Sequence, residues 1–167
     1  MRLIHTLPFA LVLGLAACSG DSKESITFTD PIAAMDQADA AAASGNPETA
    51  QAGYEYAAEN GDAKLQGDAL VSLVNLYLKE GDENGAMAAF ERLKSDFSDQ
   101  LTGDALLKLC DTAVSSAMAD AGDELVAYTL ATFPDLKEKL GKPAAAFEAI
   151  RSQGPGADLS DLGYAGD

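Results

Sequence analysis

Imidazole is almost missing from this chain. One histidine, His5, and two cysteines, Cys18 and Cys110, are all the imidazole and thiol that its 167 residues offer. Basic residues are scarce too: 11 lysines and arginines face 27 aspartates and glutamates, a formal charge of −16. A body this acidic is repelled by nucleic acid and by anionic lipid head groups, so neither is expected as a partner of the protein surface. The N-terminal apolar run, Leu7–Ala17, is eleven residues long. A membrane-spanning helix needs about 20, so this run does not read as one.

Arg2 followed by that short apolar run has the form of a secretory leader. The run ends in Leu15-Ala16-Ala17-Cys18, which resembles the lipobox of bacterial lipoproteins. The resemblance implies that residues 1–17 are removed as a signal peptide. It also implies that the Cys18 thiol accepts a diacylglyceryl group, so the membrane holds the protein by this lipid anchor only. Two or three acyl chains, at about 0.8 kcal/mol per buried methylene, give stable anchoring. Ser19 follows the cysteine where aspartate would favour inner-membrane retention, so the same resemblance implies an outer-membrane lipoprotein facing the periplasm. The 150 residues left after removal suit one domain with a real core, and loss of Arg2 takes the charge from −16 to −17. His5 departs with the leader and Cys18 carries lipid. Only Cys110 remains, which leaves no intramolecular disulfide, no Ser-His or Cys-His nucleophile and no histidine-bound zinc. Cys110, within LLKLCDTAV, reads as a small buried residue. The expectation is a protein that is not an enzyme and has no catalytic residues, metal or cofactor.

The chain in order reads as helices and turns. Residues 18–30 are polar and form a tether. Asp30-Pro31 places a cap and a first-turn proline before an alanine-rich helix running to Ser44 and stopping at Gly45. Asn46-Pro47-Glu48 repeats the device for a helix carrying Ala50, Tyr54 and Ala57 that ends near Gly61. The central stretch Gly67–Phe97 is a hairpin. Leu70, Leu73, Val74 and Tyr77 share one helical face, Gly81-Asp82 turns the chain, and Ala86, Ala89, Phe90 and Leu93 share the next. In this reading Gly67-Asp68 opens the first of the two helices. A longer helix then spans Asp104 to Ala121, and Gly122-Asp123-Glu124 turns it into one ending near Phe133. Beyond Pro134, a short helix at Asp135–Leu140 and another at Ala144–Arg151 are expected to cap the stack. An irregular acidic tail of residues 154–167 follows, in which Leu159, Leu162 and Tyr164 are expected to fold back on the last helix, a short binding motif being the alternative.

A 36-residue period runs through these elements. Gly45, Ala50 and Tyr54 match Gly81, Ala86 and Phe90; Gly67, Leu70 and Leu73 match Gly103, Leu106 and Leu109; Phe97 matches Phe133. The order Leu70, Leu73, Tyr77, Gly81, Ala86, Phe90 resembles a tetratricopeptide (TPR) repeat, over residues 31–134. The period exceeds that family's 34. Ala41 stands at the tyrosine position of the first unit, Val74 replaces a small residue, and Gly122 falls five residues late for a turn. The resemblance implies an all-α, TPR-like stack of about three antiparallel helix pairs, closed by C-terminal helices over residues 135–153. It also implies a binding face on the first helix of each pair, where Val71, Ser72, Asn75, Leu78 and Lys79 are the partner-binding candidates. Some members clamp a partner's C-terminal carboxylate with lysines and asparagines. Asn75 falls at one such position, but Asp104 and Lys108 hold the corresponding places in the third unit. With a charge near −17, carboxylate recognition is not expected. The function expected is a scaffold or adaptor for another envelope protein or peptide.

The alternative is an acidic ligand- or cation-binding lipoprotein. Its strongest support is the stretch Glu80–Glu91, which mimics a calcium loop with oxygen side chains at Glu80, Asp82, Asn84 and Glu91 and a glycine at Gly85. A tight turn capped by Asp82 explains the same residues and keeps Tyr77, Ala86 and Phe90 on their helix faces, and is the preferred reading.

Overall fold

The computed structural model describes residues 26–164. The leader at 1–17, Cys18, Ser19 and the last three residues of the tail lie outside them. Seven α-helices follow one another: α1 (Pro31–Ala43), α2 (Pro47–Asn60), α3 (Ala63–Glu80), α4 (Glu83–Asp96), α5 (Gly103–Ser115), α6 (Ala119–Thr132) and α7 (Lys137–Gln153). Short 3-10 turns lie at Ser98–Gln100, Pro134–Leu136 and Ser160–Leu162. No strand occurs among the described residues. The fold is all-α: three helix pairs, α1/α2, α3/α4 and α5/α6, closed by α7.

Local chemistry sets most of the helix starts. The Asp30 carboxylate accepts from the Ala33 N–H at 2.9 Å, Asn46 from Thr49 at 3.2 Å, Asp62 from Leu65 at 2.9 Å, Asp82 from Gly85 at 2.9 Å and Thr102 from Ala105 at 3.2 Å. Each satisfies an amide that the helix itself cannot pair. Proline at the first turn of α1 and α2 adds a preset φ where no N–H is needed.

Packing obeys the 36-residue period closely. The second helices begin at Pro47, Glu83 and Ala119 and end at Asn60, Asp96 and Thr132. The turns before them carry a left-handed residue at Gly45 (φ 74°), Gly81 (φ 77°) and Ala117 (φ 55°). The 3-10 turns after the second and third pairs keep the same spacing. One core runs through the stack, with Phe90, Phe147, Leu70, Leu78, Leu93, Leu106 and Leu109 fully buried. The first helices form one layer, α1 on α3, α3 on α5 and α5 on α7. Contact between second helices is sparser, and α4 meets α6.

Several sequence expectations need correction. Gly67 does not open a helix: α3 begins one turn earlier, capped by Asp62, and Gly67 is buried inside it. The side-chain amide of Gln100 lies where a Cβ at Gly67 would stand, and Leu136 covers Gly103 in the same way one period later. Close approach explains both glycines. There is no helix from Asp104 to Ala121. α5 ends at Ser115, Ala117 makes the turn, and Gly122 lies buried in α6 with the Phe147 ring against its Cα. Gly122 is thus the register equivalent of Ala50 and Ala86, a small residue at a close helix approach. Nor are there two short helices after Pro134. α7 is continuous, with Pro143 inside it, and the carbonyl that Pro143 leaves unpaired belongs to exposed Lys139. Finally, the end of the tether is packed. Phe28 is half-buried on α2, its ring centroid 5.6 Å from that of Tyr56.

Candidate interaction surface

Besides a hollow of about 280 Å³ between the starts of α1 and α3, the first-helix layer carries three others. The smallest, about 70 Å³, lies between the α1–α2 turn and α3, and Gly45, Pro47, Tyr54, Ser72, Asn75 and Lys79 are in its lining. A groove of about 360 Å³ separates α3 from α5, bordered by Val71, Ser72, Asn75, Thr102, Asp104 and Lys108. The largest, about 600 Å³, lies where the ends of α5 and α7 meet the C-terminal tail. Helix spacing of about 8–10 Å, filled by small and medium side chains, leaves such furrows between neighbours.

Of the five residues singled out from sequence, four reach this surface. Ser72 and Asn75 border both the smallest hollow and the α3–α5 groove, Val71 borders the groove and Lys79 the hollow. Leu78 is the exception. It is fully buried in the core, because α3 is packed by α1, α2, α4 and α5 and hides more of its circumference than a helix at an edge.

An in-register set of oxygen acceptors runs along the layer. Asp39 on α1, Asn75 on α3 and Asp111 on α5 are each 36 residues apart, and each accepts a hydroxyl. The donors are Tyr54 at 2.7 Å, Thr112 at 2.9 Å and Tyr164 at 2.8 Å respectively. Burial, reinforced by the Asp39 hydrogen bond and charge, pushes the Tyr54 phenol well above its ordinary range, and burial and Asp111 do the same to Tyr164. Both phenols therefore stay protonated donors at neutral pH. Asp111 was not singled out from sequence, yet stepping one period on from Asn75 finds it. The same step from Ser72 reaches Lys108.

Three acidic residues of the Glu80–Glu91 stretch are held by the structure. Asp82 caps α4, Glu83 accepts from the Ala121 N–H at 2.8 Å, and Glu91 pairs with Lys94 at 2.5 Å. Glu80 to Glu91 is therefore a turn and the first turns of α4, not a loop wrapped around a centre. Burial opposes the Lys94 ammonium, but hydrogen bonds to Glu124 and Glu91 outweigh it and raise its pKa. It also stands 5.0 Å from the Phe90 ring centroid and 5.7 Å from that of Tyr128. Among the described residues, no group of three or more histidine, cysteine, aspartate or glutamate side chains is arranged to hold a metal ion.

Cys110 is wholly buried, and burial together with Asp111 pushes its thiol up to about 12. A thiolate does not form there near neutrality. No described helix is long and apolar enough to cross a membrane. No protein-family model, no curated protein and no solved structure matches this chain.

Proposed function

We propose that this chain is a lipid-anchored scaffold of the bacterial envelope, facing the periplasm from the outer membrane, that holds a segment of another envelope protein on its first-helix layer. The observation that carries the reading is the acceptor row Asp39, Asn75 and Asp111, set beside hollows of about 70, 360 and 600 Å³. Acceptors repeated at helix spacing, next to furrows lined partly by apolar atoms, suit an extended segment that brings donors and small apolar side chains. The sequence likeness to tetratricopeptide repeats supports the same face. The Leu15-Ala16-Ala17-Cys18 match supports the lipid anchor. Chemistry is not part of the proposal: the one cysteine of the body is buried with a raised pKa, and no histidine follows His5.

Chemical cross-linking in intact membranes, followed by affinity capture, tests the reading. An unrelated lipoprotein bearing the same leader and tether is the control. Enrichment of a defined envelope protein over that control is the expected result. Recovery of nothing beyond the control would remove the scaffold role. Radiolabelled palmitate should enter the unaltered chain and fail to enter Cys18→Ser.

A further inference from the structure

The C-terminal segment lies on the surface proposed above for a partner. After Gly154 (φ 92°) the chain leaves α7 and crosses toward α5. It ends in a compact knob. The Tyr164 N–H bonds back to the Leu159 carbonyl at 3.2 Å and the Gly163 N–H to the Ser160 carbonyl at 2.8 Å, with Gly163 left-handed at φ 72°. This pairing shapes the knob without help from the helices beneath.

Its polar attachment to the stack is narrow. The Tyr164 hydroxyl donates to Asp111 Oδ1 at 2.8 Å, Lys142 Nζ stands 4.0 Å from the Tyr164 ring centroid, and Lys142 Nζ donates to the Gly163 carbonyl at 3.3 Å. Leu159, Leu162 and Tyr164 pack against the core but stay half-buried, whereas Leu109, Leu140 and Phe147 are fully enclosed. A hollow of about 600 Å³ is left among the segment and the ends of α5 and α7. Asp111 is also the third member of the acceptor row, so the tyrosine occupies a site that the other two helices repeat. The segment is held by these polar contacts and by Ala157, Leu159, Leu162 and Tyr164, packed part-buried against the core.

We propose that residues 154–164 are a displaceable latch over the α5–α7 cleft. The partner segment that replaces them presents a tyrosine, its hydroxyl on Asp111 and its ring under the Lys142 ammonium. This rests on the scaffold reading and adds its regulation. In the unaltered chain the tethered tail competes at an effective concentration on the order of millimolar, so a free peptide of the same sequence binds poorly.

The test uses the full chain and a labelled synthetic peptide with the sequence of residues 157–164, read by fluorescence anisotropy. Three tail substitutions, Leu159→Ala, Leu162→Ala and Tyr164→Ala, weaken the latch without touching the helices. The altered chain should bind the peptide at least about tenfold more tightly than the unaltered chain. Adding Asp111→Ala should remove that gain. Equal binding by both chains, or binding by neither, would overturn the latch. So would loss of the helical circular dichroism signal in the triple variant, because a latch is dispensable to the stack. The peptide needs no envelope partner, so the two ideas fail separately. Peptide capture without any cross-linked partner removes the scaffold role alone, and a cross-linked partner without peptide capture removes the latch alone.

Discussion

Glu83 of α4 caps a helix that is not its own: its carboxylate accepts from the backbone N–H of Ala121, in the first turn of α6, at 2.8 Å. The cap position of α6 is held by Met118, whose side chain makes no such bond, whereas the matching Asn46 and Asp82 cap α2 and α4 from within. A defect in one repeat is thus made good by its neighbour, and this hydrogen bond adds to the Lys94–Glu124 pair and the Thr112–Asn75 bond that also join the two units.

That coupling is testable by exchange. Glu83→Ala should lower stability by about 1 kcal/mol, the usual cost of a lost helix cap. Met118→Asp restores the cap within the unit, and in that background Glu83→Ala should cost markedly less. Urea unfolding of the four chains of the cycle gives the coupling directly. Equal effects of Glu83→Ala in both backgrounds would show that the carboxylate does not act as the cap of α6.

The turn before α6 should favour glycine as the turn before α4 does. Ala117 adopts φ 55° where Gly45 and Gly81 adopt 74° and 77°. A side chain there is strained, and glycine is not. Ala117→Gly is expected to raise stability by about 0.5–1 kcal/mol, and Gly81→Ala to lower it by about 1 kcal/mol. Thermal or urea midpoints of the two variants decide this, and a destabilised Ala117→Gly chain would contradict the left-handed assignment.

These residues also mark how far the sequence could be read. Asp30, Asn46 and Asp82 are capping signals that work over three residues, so α1, α2 and the α3–α4 hairpin were visible from local spacing alone. Gly67 and Gly122 misled for a shared physical reason. Glycine inside a helix costs about 1 kcal/mol relative to alanine, so it reads locally as an end. Here it is required by Gln100 and Phe147, which come from other elements and cannot be foreseen from neighbouring residues. Ala117 carries no local sign of a turn, and only the 36-residue step from Gly45 and Gly81 exposes it. At the surface, Ser72 and Asn75 were found by likeness to a repeat family. Leu78 was misassigned because its burial depends on how many helices surround α3, and Lys142 and Tyr164 meet only because the tail returns across the stack.

Alkaline pH should loosen the stack through Tyr77. Its hydroxyl donates to Glu55 at 3.1 Å, and burial, then the Glu55 charge, raise its pKa from 10.0 to about 12. The folded state therefore holds this proton more tightly than the unfolded state does. The stabilisation is complete below pH 10.0 and is lost as pH rises toward about 12. Other groups titrate in that range, so the quantity to follow is the stability difference between the unaltered chain and Tyr77→Phe. It should be flat from pH 7 to 9 and then fall against the unaltered chain between 10 and 12. A difference that stays constant to pH 12 would show that folding does not raise the pKa of this phenol.

The scaffold reading stands on one surface, and position-specific photo-cross-linking in living cells interrogates that surface most directly. A photoreactive residue is placed singly at Ser72 or Lys108 on the first-helix layer, or at exposed Ser95 or Ala127 on the second. One envelope protein should be trapped from Ser72 and Lys108 and be absent from Ser95 and Ala127. Adducts from the second-helix positions with none from the first would contradict the scaffold role.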